Sequence, residues 1–230
     1  MLGIIGAMDM EVENLRREMQ NVTEKTVGFT KFYQGELFGM PVCLARCGIG
    51  KVHAALCAQA MILEYSIDAM LNIGVAGALM EQLQIAQIVV AKSAVQHDID
   101  TTPFGDPLGM ISGPNIVHIP CDERLTALLE QAADRAGVAH ICAAVATGDQ
   151  FIAKLEKKDF LAQQFGAGAC DMEGGAIAQC CYEMKIPYAA CRAISDTRTG
   201  DEQEYLVKAK EACRAEEKLL RCFAALYTKA

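Results

Sequence analysis

Three acids in this chain stand just past apolar or glycine-bearing runs: Glu11 after "LGIIGA", Glu173 after "ACDM", and Asp196 at the end of "CRAISD". The stretch Ile186–Ile194 reads as a buried strand, yet it carries Arg192 and then delivers a carboxylate. A buried charge is costly unless paired, and in α/β folds ligands gather at the carboxyl ends of strands. Acids so placed serve as a general acid, a general base or an anionic clamp for a polar ligand. Each also has a plain structural reading. Glu11 and Glu173 fit the first turn of a helix, where the dipole favours a carboxylate, and Asp196 fits a helix cap. Met172, and Phe151 in "TGDQFI", read singly as core residues. The three acids together favour a site.

The glycine-rich turns are less decisive. "CGIGKV" has Ala45 and Val52 where a triphosphate-binding loop needs glycine and Ser or Thr, so that class is excluded. "NIGVAGAL", with Gly74, Val75, Ala76 and Gly77, lacks the dinucleotide fingerprint and reads as a tight turn where backbone can approach a ligand. No Cys or His spacing suits a metal ion, and no cofactor is called for.

Composition bounds the rest. The 230 residues are 52% hydrophobic and 22% charged, with a net charge of −8. That describes a packed globular chain of one domain, residues 1–230, without the basic face that nucleic acid requires. No run of about 20 apolar residues suggests a membrane span, and the start has no signal-peptide pattern. The eleven cysteines sit mostly in apolar runs, as in a reducing cytoplasm.

Strands and helices alternate along the chain. Strands are expected at 2–7, 68–74, 86–97, 140–148 and 186–194, and a hairpin around Phe38–Gly39. Helices are expected at 8–19, 51–65, 157–166, 173–184 and 201–227, and one between an Asp122 cap and a Gly137 stop. Residues 97–115 form an irregular stretch too long for a simple connection, which favours a lid or partner-binding loop. The alternation predicts an α/β fold, a three-layer α/β/α sandwich around a mixed, mostly buried central sheet.

The segments "IIGAMDMEVENL", "CGIGKV", "NIGVAGAL", "HDIDTTPFG", "TGDQFI", "DMEGGAIAQ" and "RAISD", in this order and spacing, resemble the 5′-methylthioadenosine/S-adenosylhomocysteine nucleosidases of the purine nucleoside phosphorylase/hydrolase superfamily. The resemblance spans about residues 2–200 and implies the same sandwich. It assigns water activation to Glu11, protonation of purine N7 to Asp196, and the ribose 2′- and 3′-hydroxyls to Glu173, with Met172 under the sugar. It places Phe151 against adenine, the Ile152 backbone at the base edge, Val75 and Ala76 beside the nucleoside, and Arg192 in the carboxylate and water network. Phe104 is implied to reach a neighbouring subunit's pocket, so a homodimer follows. A cytoplasmic role in methionine salvage follows too. Val75 stands where many relatives carry serine, and the 105–115 loop diverges.

Cleaving the bond between C1′ and adenine N9 needs one acid for the leaving base, one base for water, and negative charge near a cation-like sugar. One positioned acid supplies about 3–5 kcal/mol of the roughly 8–23 kcal/mol required, so electrostatics around the sugar must supply much of the rest. Burial and nearby carboxylates are both expected to raise the pKa of Asp196. Three other readings compete: a purine nucleoside phosphorylase, an aminofutalosine hydrolase, and a nucleoside-binding protein without catalysis. A phosphate site wants arginines or backbone nests, and the early acids would repel the anion.

Overall fold

The computed structural model describes residues 1–229. The chain runs β1 (Leu2–Gly6), α1 (Asp9–Glu18), β2 (Gln20–Val27), β3 (Thr30–Leu37), β4 (Met40–Arg46), α2 (Lys51–Glu64), β5 (Ala69–Asn72), β6 (Val75–Ala78) and β7 (Ile88–Gln96). It continues through β8 (Ile119–Pro120), α3 (Glu123–Ala136), β9 (His140–Thr147), α4 (Leu155–Phe165), β10 (Ala167–Asp171), α5 (Gly174–Met184), β11 (Tyr188–Asp196) and α6 (Glu202–Tyr227). Local chemistry sets many boundaries. Asp122 accepts from the Leu125 N–H at 2.9 Å to start α3, and left-handed Gly137 ends it. Phe38 and Gly39, both at positive φ, make the two-residue turn between β3 and β4.

All eleven strands form one mixed sheet in the order β2-β3-β4-β1-β5-β11-β6-β10-β9-β7-β8. Its β1 and β4 show why helices cover both faces. Ile5, Cys43 and Ala45 pack in one apolar cluster with residues of α2 and α5. Their neighbours Leu2, Ile4, Val42 and Leu44 pack in another with residues of α1, α3 and α6. This is the period-two alternation of a strand buried on both sides.

The mixed α/β arrangement matches expectation, but an open sandwich does not describe the whole sheet. Strand β11 also pairs with β7, Cys191 opposite Val90, so β11, β6, β10, β9 and β7 close a ring. Four strands also escape the sequence pattern, among them β8, which has only two residues and no period to read. β2 is polar and exposed along nearly its whole length, so it carries no apolar period. β6 ("VAGA") falls in the segment that reads as a tight turn, and β10 ("AGACD") is short and built of small residues with no apolar period.

Strand β11 is the seam between the open and closed halves. All nine of its residues are buried. It pairs with β5 through Tyr188–Ala190, with β7 through Cys191–Ala193, and with β6 through Ala193–Asp196. A register shift between Ile194 and Asp196 breaks the last pairing, and bulges of this kind re-aim side chains beside functional sites. Asp122→Ala is expected to cost about 1 kcal/mol of folding stability through loss of the α3 cap. Urea denaturation checks this; an unchanged midpoint would mean that packing alone fixes the start of α3.

Candidate active site

The carboxyl ends of β1, β10 and β11, with β6 and the start of α5, surround a cavity of about 220 Å³. Glu11, Glu173, Asp196, Met172, Phe151, Ile152, Val75 and Ala76 all line it. The three acids, far apart in sequence, therefore converge. Arg192 and Phe104 do not line it. Phe104 stands 87% exposed at the end of a single 3₁₀ turn, Thr102–Phe104.

Glu11 lies in the first turn of α1. Its Oε2 accepts from the N–H groups of Ala7 at 2.7 Å and Met8 at 2.9 Å, and its Oε1 from Val75 N–H at 2.9 Å. It thus reaches back to cap α1 while facing the cavity. The N–H of Val75 is available because Gly74 turns the chain at φ +144°. A Cβ there would meet Glu11 Oε1 at 2.6 Å. Gly77 does the same service opposite, where a Cβ would lie 2.9 Å from Asp196 Oδ2.

Glu173 occupies the cap position of α5 but makes no cap bond; its Oε1 accepts from Gly50 N–H at 2.7 Å. Asp196 does not cap the final helix, a task that Asp201 performs. Its Oδ2 instead accepts from Lys158 Nζ at 2.9 Å and its Oδ1 from Ser195 Oγ at 3.0 Å. Lys158 is wholly buried and also donates to the carbonyls of Thr197 and Gly200, tying the turn after β11 to the acid.

Arg192 stands outside the cavity lining. Its guanidinium is buried behind the cavity and pairs with Asp171, Nε at 2.9 Å and Nη2 at 2.6 Å from Oδ2. It also donates to the Asn72 carbonyl at 3.1 Å and to the Asn72 side chain. Asp171 in turn accepts from Gly174 N–H at 2.9 Å and from Thr147 Oγ1. Arg192 therefore fixes the corner that presents Glu173.

Sequence reasoning missed Asp171, Lys158 and Tyr205. Asp171, two residues before Glu173, was legible as a second acid at that corner. Lys158, inside an exposed-looking "EKKD", carried no signal. Tyr205 lines the cavity from α6 and meets Phe151 edge-on, ring centroids 5.6 Å apart.

Burial dominates the electrostatics. It raises Glu11 above the usual carboxylate range although three backbone N–H groups and the Arg192 charge work against it. Burial, then the nearby Asp171 charge, push Glu173 up to about 8. Burial also raises Asp196, against the opposing pull of Lys158. The nearest charge to Asp196 is therefore a lysine, and among carboxylates Glu204 adds to the rise.

A raised native pKa means that the folded chain holds a proton which the unfolded chain releases. The stability contributed by neutral Glu173 is complete below its ordinary value of 4.5 and is lost as pH rises through about 8. Glu173→Gln removes this loss, so its melting temperature is expected to gain on wild type as pH rises from 5 to 8.5. Scanning calorimetry checks this; a constant difference would mean that Glu173 is ionised throughout.

The phosphorylase superfamily profile matches residues 1–226. The 5′-methylthioadenosine/S-adenosylhomocysteine nucleosidase of Shewanella sediminis is 36% identical over 90% of this chain and 93% of its own. The crystal structure of the Neisseria meningitidis enzyme of the same name, in complex with methylthio-immucillin-A, superposes with a TM-score of 0.91 at 31% identity, covering 96% of this chain and 97% of that one. The native futalosine hydrolase of Helicobacter pylori superposes equally well, at TM-score 0.91 and 30% identity over 97% of both chains. The chain belongs to the phosphorylase superfamily and, within it, to the 5′-methylthioadenosine/S-adenosylhomocysteine nucleosidase family.

Proposed function

We propose that the protein hydrolyses the N-glycosidic bond of 5′-methylthioadenosine and S-adenosylhomocysteine, releasing adenine and the 5′-substituted ribose. The observation that carries this reading is the convergence of Glu11, Glu173 and Asp196 on one cavity with otherwise largely apolar walls. Residues 1–230 act as one domain in this reading, supported by the single sheet and the match over 1–226.

The bond that breaks is C1′–N9, and the bond that forms joins C1′ to the oxygen of water. The departing electron pair leaves adenine needing a proton. Asp196, its pKa raised by burial, donates that proton to N7. Glu11 accepts the proton that water loses. Val75, Met8 and Ala7 N–H groups fix its two oxygens, so its orientation is set before substrate arrives. Glu173 accepts from the ribose hydroxyls, with Met172 against the sugar. The ionised form of Glu173 places negative charge beside the sugar as it becomes cation-like, which favours the transition state over the ground state. Phe151, backed by Tyr205, offers its face to adenine, and the Ile152 backbone its polar groups to the base edge. Val75 and Ala76 flank the sugar and water.

Two copies complete the assembly. Support comes from the exposed apolar residues Phe104, at 87%, and Val52, Leu56 and Leu63 along α2. Phe104 reaches the partner's 5′ pocket in this arrangement. A cytoplasmic place in methionine salvage is consistent with eleven free cysteines, seven of them buried.

A second reading, hydrolysis of an aminofutalosine, is favoured by the fold match to the Helicobacter pylori enzyme. It keeps the same acids and differs only at the 5′ group. Relative rates on methylthioadenosine, adenosylhomocysteine and an aminofutalosine separate the two; a faster aminofutalosine rate would replace the first reading.

Free adenine should appear from methylthioadenosine without phosphate and at a rate that added phosphate does not change; strict phosphate dependence would make the enzyme a phosphorylase. Asp196→Asn is expected to lower kcat by about 10²–10⁴-fold while ligand affinity stays within a few-fold. Unchanged kcat would remove the acid role of Asp196.

A further inference from the structure

One buried carboxyl is used by no step of the proposed reaction. Glu216, on the inner face of α6, is only 2% exposed. Its Oε1 accepts from Gly74 N–H at 2.8 Å and from Cys191 Sγ at 3.5 Å. The next N–H along the chain, Val75's, donates to Glu11 Oε1 at 2.9 Å. Two consecutive backbone donors thus go to two different buried carboxyls, one in the cavity wall and one behind it. Glu11 and Glu216 also share a void of about 10 Å³ between α1 and α6, the room of a single water.

We propose that Glu216 is a positioning residue for Glu11: it anchors the Gly74 N–H and so aims the Val75 N–H at Glu11 Oε1. This rests on the reading of Glu11 as the base. Gly74 is the pivot. Its carbonyl accepts from Ala193 N–H at 3.0 Å, which ties one side of the residue to β11. On its other side the N–H is held by Glu216. Glycine at φ +144° is free to turn, so removing that anchor loosens the donor that holds Glu11.

The anchor works as a neutral acid. Burial, with the Glu11 charge adding to it, pushes Glu216 up to about 8, so at neutral pH its carboxyl places no like charge behind Glu11. The titratable groups around the pair are Cys191 and Arg192 from β11, Tyr205, Cys213 and Glu217 from α6, Glu173 at the start of α5, and Cys47 after β4. Arg192 draws both carboxyls toward ionisation; burial outweighs it at each.

The test compares pH profiles of kcat on methylthioadenosine for Glu216→Gln, Glu216→Met and Glu216→Asp beside Glu11→Gln. E216Q keeps a neutral acceptor and is expected to match wild type in kcat and in the midpoint of the acid limb. E216M has no acceptor for Gly74 and E216D falls one methylene short of it. Both are expected to lower kcat about tenfold at pH 7, leave KM within about threefold, and move the acid limb up by about one pH unit, because Glu11 loses a stabilising donor. An unmoved acid limb in E216M and E216D overturns the proposal, as does a shifted limb in E216Q. Should E216M fail to fold, E216D and E216Q still decide. A lowered melting temperature with an unmoved limb assigns Glu216 a purely structural role. Turnover surviving in E11Q removes the base assignment and this proposal with it; a dead E11Q beside unmoved limbs in the Glu216 variants removes this proposal alone.

Discussion

The buried contact between Arg192 and Asp171 is the constraint on which the site depends. Arg192 spends its donors on Asp171, on the Asn72 side chain and carbonyl, and on its own strand. In doing so it links β11 to β5 and β10. Asp171 passes the constraint on through Gly174 N–H, which fixes the first turn of α5 and with it Glu173. A buried pair of this kind gains little net stability, but removing one partner typically costs about 3–5 kcal/mol because the other charge is stranded. What the pair contributes is geometry, at the corner where three strands end.

Around that pair the fold crowds Glu11, Glu173 and Glu216 with Asp171. Only the last has a cation in direct contact. Burial raises the other three, each against the pull of Arg192. Glu173 and Glu216, each pushed up to about 8, are the two that hold protons at neutral pH, beside a reaction whose transition state gains positive charge on the sugar and needs a proton on the base. Asp196 sits apart, with Lys158 as its partner. Asp196 and Glu173 are thus perturbed by different neighbours within one pocket.

Much of the site was legible in the sequence because carboxylates after apolar runs are rare and costly. Glu11, Glu173 and Asp196 each stood out for that reason. The α3 boundaries and the turn at Phe38–Gly39 followed from capping and turn chemistry. The closed ring was not legible: β6 and β10 are made of glycine, alanine and cysteine, which have no period to read, and the β11–β7 pairing joins distant segments. The Arg192 charge is visible in the sequence, but its partners Asp171 and Asn72 are not. Asn72, Asp171 and Arg192 lie far apart in the chain and meet only after the strands align. Lys158 and Glu216 were hidden in helices whose charged residues mostly face solvent, so nothing distinguished the two that turn inward.

The proposed reaction requires one bound nucleoside to touch all three acids at once. A crystal structure with a non-hydrolysable methylthioadenosine analogue that keeps N7 tests it most directly. The expected result is an Asp196 oxygen within about 2.6–3.2 Å of N7, Glu173 at the same reach of both ribose hydroxyls, and Glu11 facing C1′ from the side opposite the base. A ligand bound with its base turned from Asp196, or seated outside this cavity, would contradict it.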